Sequence, residues 1–127
     1  MTIRSSKEMV AQANAAIETL TPEQAVALSG QPGTVFVDVR DAAEREKTGT
    51  LKGALHAPRA FLEFMADPAS ERHLSELSND KQLVLFCASG SRSALAAKTL
   101  KDMGYEKVAH VAGGFGALAK AGAPTGH

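Results

Sequence analysis

Hydrophobic residues fall along this chain in short continuous runs that alternate with stretches of helical spacing. Thr34-Val35-Phe36-Val37-Asp38-Val39 is β-branched and aromatic, follows the turn Gly30-Gln31-Pro32-Gly33, and predicts a buried strand. Leu83 to Phe86 is continuous, apolar and bounded by polar loops, the pattern of a central strand. Val108-Ala109-His110-Val111 predicts a last strand, and Ala54-Leu55-His56-Ala57 a short one stopped by Pro58. Between these runs the period lengthens. Ser91 to Met103 predicts a helix that buries Ala96, Leu100 and Met103 and stops at Gly104. Thr21-Pro22-Glu23-Gln24 supplies an N-cap, a proline at the first helical position and a capping-box partner, opening a helix to about Ser29. Asp41 to Lys47 predicts one or two exposed helical turns. Arg59 to Ala66 predicts a helix with Phe61, Leu62 and Met65 on one side, and Glu71 to Leu77 a further turn. Gly113-Gly114 leads into a short helix reaching about Ala121. Residues 1–15, carrying Met9, Val10 and Ala13, read as an amphipathic helix or a frayed arm; Gly49 to Ala54 reads as a loop and residues 122–127 as a loose tail.

Alternation of strands and helices predicts an α/β fold built on a mostly parallel sheet with helices on both faces. Ligands of such sheets sit beyond the carboxyl ends of the strands. Asp38 and Cys87 both fall at strand ends, on that same rim. The 127 residues fit one domain spanning 1–127, with no repeat and no linker.

The segment Cys87-Ala88-Ser89-Gly90-Ser91-Arg92-Ser93 carries the candidate chemistry. A thiolate, not a thiol, is the nucleophile. Backbone N–H groups from Ala88 to Arg92, wrapped into a nest, stabilise negative charge at one centre, and the start of the following helix adds its positive end. Gly90 permits a tight turn, while Ala88, Ser89 and Ser91 are small enough to leave the mouth open. Arg92 brings a fixed planar cation suited to oxyanions. Cys87 and Arg92 are therefore the candidate catalytic residues, and Ala88, Ser89, Gly90, Ser91 and Ser93 the candidate substrate-binding loop. A lone cysteine ending a core strand is ordinarily a small buried hydrophobe; the glycine, the small loop and the arginine at the helix start favour the nucleophile. Asp38 is assigned a supporting role, accepting hydrogen bonds from loop N–H groups. Arg59, after Pro58 on the same rim, is a candidate second anion contact, with a solvated surface arginine as the plainer reading. Arg40 and Glu44, four apart, read as a local ion pair, and His56, His73 and His110 as structural or surface residues.

Composition narrows the classes. Apolar residues make up 44% and charged residues 22%, and the formal net charge is zero, so no global field draws nucleic acid or an anionic membrane. One cysteine makes no internal disulfide and no cysteine-rich zinc site, and the four histidines are scattered; no metal or cofactor is expected. No run is long enough to span a bilayer and no secretory signal stands at the start, which leaves a cytoplasmic location as the expectation.

Cys-x4-Arg-Ser after an apolar strand resembles the active-site loop of single-domain rhodaneses, the sulfurtransferases. Asp38-Val39-Arg40 with Glu44 is similar to that family's Asp-Val-Arg-x-x-x-Glu segment. Gly49-Thr50-Leu51-Lys52-Gly53-Ala54 falls where the family often has Gly-His-Ile-Pro-Gly-Ala, with Thr50 and Lys52 as departures, and Gly113-Gly114-Phe115 resembles its C-terminal Gly-Gly signature. Leu118 stands where many relatives have tryptophan. The resemblance covers the chain from about Ile17 to Pro124. It implies a three-layer fold with a five-stranded central sheet. It also implies transfer of sulfane sulfur from a small anionic donor such as thiosulfate, through a Cys87 persulfide, to an external acceptor: cyanide, a thiol or a protein. The alternatives are a regulatory or persulfide-carrier domain with little turnover, and a cysteine phosphatase or arsenate reductase. Those enzymes resemble Cys-x5-Arg, one residue longer than the loop here.

Overall fold

A computed structural model describes residues 2–127. Its centre is strand β5 (Gln82–Phe86), in a five-stranded sheet ordered β1 (Glu18–Leu20), β6 (Val108–Val111), β5, β2 (Thr34–Asp38), β4 (Leu55–His56). Every pairing in this sheet is parallel. Side chains alternate across a strand, and β5 uses that alternation to serve two cores. Leu83 and Leu85 join Val37, Val39, Leu62, Leu77, Ala96 and Leu100 on one face. Val84 and Phe86 join Ala109, Val111 and Leu118 on the other. Helices α1 (Ser6–Ala16), α4 (Leu62–Ala66) and α5 (Ser91–Met103) lie on the first side, and α2 (Pro22–Ala27) and α6 (Gly114–Lys120) on the second. This is the three-layer α/β architecture the alternation predicts. Leu118 is fully buried in the second core.

The capping box at Thr21 and Gln24 forms in both directions, and α5 starts and stops at the predicted residues. Helix α3 (Ala42–Thr48) carries a second capping box, Asp41 with Glu44. Of its two readings the opening segment takes the helical one, capped by Ser5 and packed on α5. Other expectations change. Glu18–Leu20 forms an edge strand that its polar composition conceals, held by its parallel partner β6. The tail is not loose: β7 (Thr125–Gly126) pairs antiparallel with β3 (Thr50–Leu51), so the predicted loop and the predicted tail clip one another. Met103 is 41% exposed, because it lies at the edge of the buried stripe in the last turn of α5. Glu71 to Leu77 makes turns rather than helix. There the Ser70 hydroxyl accepts from the Arg72 N–H, and the Leu74 N–H donates to the Met65 carbonyl, which diverts the backbone from helical pairing. Within Arg59 to Ala66, Arg59–Phe61 is a 3₁₀ turn; Leu62 is buried, but Phe61 points outward at 42% exposure.

Candidate active site

Cys87 leaves the end of β5, and the chain turns through Ala88, Ser89 and Gly90 into α5. Gly90 is the N-cap of α5 with φ +114°, a conformation L side chains rarely adopt, and it offers no side-chain cap. The open amides of a helix start need acceptors. The sulfur supplies one: Gly90 N–H donates to Sγ at 3.1 Å and Ser93 N–H at 3.4 Å. Burial pushes the Cys87 thiol upward as the largest single influence. The Ser93 hydroxyl and the N–H groups of Ser93, Gly90 and Ser89 together outweigh it, so the thiol ionises below its ordinary range. The residue has no exposed surface, while Ala88, Ser89 and Ser91 above it are exposed. Entry of a donor therefore requires this loop or its neighbours to shift.

The loop is braced from the second core. The Cys87 carbonyl accepts from the Phe115 N–H at 2.8 Å. A Cβ on Gly114 would stand 2.3 Å from the Ala88 carbonyl oxygen and 2.5 Å from that of Cys87. The Gly113-Gly114-Phe115 run thus lets the start of α6 press against the reactive loop, a close approach any side chain would block.

Arg92, on the first turn of α5, makes a bidentate pair with Glu44 at 2.7 and 2.9 Å. Its guanidinium makes no hydrogen bond to the sulfur; Glu44 raises the Arg92 pKa above its ordinary value, and a negative Cys87 adds to that. The Arg92 hydrogen bonds, set against burial, lower Glu44 from 4.5 to about 2. This corrects the expected Arg40–Glu44 pair. Residue 40 lies before α3 and outside its helical register, so spacing of four does not bring the two side chains together.

Arg40 instead turns back to Asp38, donating from Nε and Nη2 at 3.1 and 2.9 Å. Asp38 has no exposed surface and accepts also from the Arg40 backbone N–H and from the Thr50 hydroxyl at 2.7 Å. Burial presses its pKa upward, but the hydrogen bonds from Arg40 and Thr50 leave it lowered. Arg45 stands 3.4 Å away, and Arg40 lies over the Phe115 ring at 4.5 Å. The loop N–H groups expected on Asp38 are not its partners; it anchors the β2 end and, through Thr50, the strand β3. Arg59 directs its guanidinium to Glu63 and Thr99 and makes no hydrogen bond to the Cys87 loop.

Sequence reasoning passed over two participants. Glu44 carried a signal, the Asp41-x-x-Glu44 capping box, which places it at the start of a helix on the rim. His110 carried none. It is 2% exposed, and its Nδ1 lies 3.0 Å from the Ser93 hydroxyl, itself 3.5 Å from Sγ. Among the described residues no cluster of His, Cys, Asp or Glu is placed to hold a metal ion, and no helix is long and apolar enough to cross a membrane.

The family model for the rhodanese-like domain matches residues 21–121. The chain belongs to the rhodanese-like family. The polysulfide-sulfur transferase homodimer of Wolinella succinogenes superposes on this rhodanese-like chain with a TM-score of 0.74 at 31% identity, covering 94% of this chain and 85% of that one. A Rhodopseudomonas palustris protein of unknown function, described as a possible tyrosine phosphatase, superposes with a TM-score of 0.93 at 47% identity over 99% and 98% of the two chains. The tRNA uridine(34) hydroxylase of Mesorhizobium japonicum is 34% identical over 123 residues. That match takes in 91% of this chain but spans only 38% of the hydroxylase. The rhodanese-like match places Cys87 and Arg92 within its span, together with Asp38, Glu44 and Gly113-Gly114. Asn14 and Thr19, which touch His110, lie outside it.

Proposed function

We propose that this chain transfers sulfane sulfur through Cys87. The observation that carries the reading is the convergence of the Gly90 and Ser93 N–H groups on Sγ at the start of α5 in a rhodanese-like domain. In the first half-reaction the Cys87 thiolate attacks the outer sulfur of a small anionic donor, thiosulfate or a polysulfide. The donor's S–S bond breaks and the leaving group, sulfite or a shortened polysulfide, departs with the electron pair. The persulfide left on Cys87 carries its negative charge on the terminal sulfur, where the loop amides and the helix start stabilise it. In the second half-reaction an external nucleophile, cyanide or a thiol on a small molecule or protein, attacks that terminal sulfur and Cys87 leaves as thiolate. A single cysteine cannot resolve its own persulfide as an internal disulfide, so the acceptor comes from outside. Arg92 attracts the donor anion once it exchanges Glu44 for it. Ala88, Ser89 and Ser91 form the mouth. Neither nucleic acid nor membrane has a part in this chemistry.

Cys-x4-Arg is too short for the wider cradle of a phosphatase, and Arg92 faces Glu44 rather than the sulfur. The test sets thiosulfate and polysulfide as donors against an aryl phosphate, with wild type and Cys87→Ser side by side. Sulfur transfer with ping-pong kinetics, lost in Cys87→Ser, is the expected result. Aryl phosphate hydrolysis with no sulfur transfer overturns the proposal. A Cys87 that takes up sulfur but turns over with no acceptor makes the chain a carrier rather than an enzyme.

A further inference from the structure

A chain of side chains runs from the buried sulfur through buried Ser93 and His110 to exposed Asn14 and Thr19 at the edge of the sheet. Cys87 Sγ lies 3.5 Å from Ser93 Oγ, and Ser93 Oγ lies 3.0 Å from His110 Nδ1. The far nitrogen, Nε2, lies 2.8 Å from Asn14 Oδ1 and 3.2 Å from the Thr19 hydroxyl. Ser93 has no exposed surface and His110 only 2%. An amide oxygen only accepts, so Asn14 fixes the tautomer: Nε2 carries the proton and Nδ1 is bare. Bare Nδ1 needs a donor, and Ser93 is the one within reach. The Gly90 carbonyl, 3.2 Å from Ser93 Oγ, is a second acceptor for that hydrogen, and Nδ1 at 3.0 Å is the nearer. With the hydrogen on Nδ1, Ser93 turns a lone pair to the sulfur and accepts from the S–H. Every group in the chain is satisfied, and the direction is set from Cys87 to His110.

We infer that His110 is the proton acceptor for Cys87, reached through the Ser93 hydroxyl. This rests on Cys87 acting as the sulfur-accepting thiolate. The step balances without any co-reactant. The S–H bond breaks and its proton passes to Ser93 Oγ, while the Ser93 proton passes to Nδ1. Cys87 is left as a thiolate, now receiving the Ser93 O–H, and His110 as an imidazolium donating to Ser93 and Asn14. No group is oxidised or reduced.

Burial lowers the His110 pKa, which disfavours a lone imidazolium. A thiolate–imidazolium pair is neutral overall, so the same burial opposes it far less. The surroundings add no competing charge. Of the elements packed on His110, β5 brings Cys87, α5 brings Ser93, β1 brings Thr19 and α1 brings Asn14. Lys7 and Glu8 of α1 and Glu18 of β1 are exposed. On α5, Arg92 is held by Glu44, Lys98 by Asp102, and Lys101 by the Ala16 carbonyl. His110 and Ser93 are positioning and proton-transfer residues; neither is placed against the donor. Asn14, on α1, meets His110 from outside the matched 21–121 span.

The test is the pH dependence of iodoacetamide alkylation, read on the full chain, whose one thiol is Cys87. His110→Gln keeps a hydrogen-bonding side chain but takes no proton. It should slow alkylation at pH 7 about tenfold, one pKa unit, and converge with wild type at high pH where the thiol ionises unaided. Ser93→Thr keeps the hydroxyl and should keep the wild-type profile. Wild-type imidazole ¹⁵N spectra give a readout that needs no variant to fold: the transfer is internal, so at neutral pH Nδ1 of His110 should carry a proton in the fraction of molecules whose Cys87 is thiolate, and should lose it as pH rises and the pair gives that proton to water. A folded His110→Gln with the wild-type profile overturns the inference, as does an Nδ1 that is bare from neutral pH upward. Alkylation needs no sulfur donor, so these results stand apart from any failure of sulfur transfer.

Discussion

Arg40 and Arg92 each hold a carboxylate near the carboxyl ends of the central strands, and water reaches only one of them. The Arg40–Asp38 pair is sealed, with side-chain exposures of 3% and 0%. Its remaining hydrogen bonds go to Thr48, Thr50 and the Gly49 carbonyl. The Arg92–Glu44 pair is 40% and 31% exposed. A sealed pair must stay whole, because either partner alone is a buried charge. An open pair contributes little to stability and exchanges readily for another anion. Two similar contacts thus differ in kind: one ties the β2 end to Thr50 of β3 and the turn before α3, and the other leaves an accessible cation at the start of α5, the one the proposed transfer uses.

The comparison breaks most visibly at Asp38. Asp38→Ala strands the Arg40 guanidinium and should cost about 3–5 kcal/mol in urea or thermal unfolding. A loss no larger than that of Glu44→Gln would erase the distinction. Arg92→Ala should do the reverse. Stability should change by less than about 1 kcal/mol, while kcat/KM with thiosulfate falls about 100-fold, the scale of losing a charge-stabilising donor. Sharpening comes from Glu44→Gln, which frees Arg92. Its KM for thiosulfate should drop about two- to fivefold, the worth of an exposed ion pair. An unchanged KM would mean that Glu44 does not compete with the donor.

The smallest effect is in pH. Glu44 is lowered in the folded chain from 4.5 to about 2. The folded state therefore binds this proton more weakly than the unfolded state, and stability from the pair is full above about 4.5. It is lost as pH falls toward 2. The small stability gap between wild type and Glu44→Gln, followed by melting temperature, should close over that window.

Elements with strong local signals were legible in the residues: the apolar β5, the capped α2, and α5 between Gly90 and Gly104. The strand-to-helix loop that presents Cys87 belongs with them, because a nest, a glycine and a helix start are adjacent in sequence. What escaped depends on partners far away. Glu18–Leu20 is a strand only because β6 offers a parallel edge, and β3 and β7 exist only as a pair. Arg92 reaches back 48 residues to Glu44, and His110 meets Asn14 across 96. No spacing rule spans such separations. Thr50 shows the same limit: as a departure from a family motif it says nothing, yet its hydroxyl completes the shell of Asp38. The burial of Cys87 matches the plainer reading of a lone strand-end cysteine, against which the small loop residues suggested an open mouth; the loop closes over the sulfur, and the Gly90 and Ser93 N–H groups point at it.

The central claim is that this enclosed sulfur is a nucleophile that accepts one further sulfur atom. Intact-protein mass spectrometry after incubation with polysulfide or thiosulfate, without reductant, addresses it directly. The account predicts an adduct of one sulfur atom, located at Cys87, removed by cyanide and absent from Cys87→Ser. A Cys87 that stays unmodified with both donors, in a protein whose thiol still reacts with iodoacetamide, would contradict it.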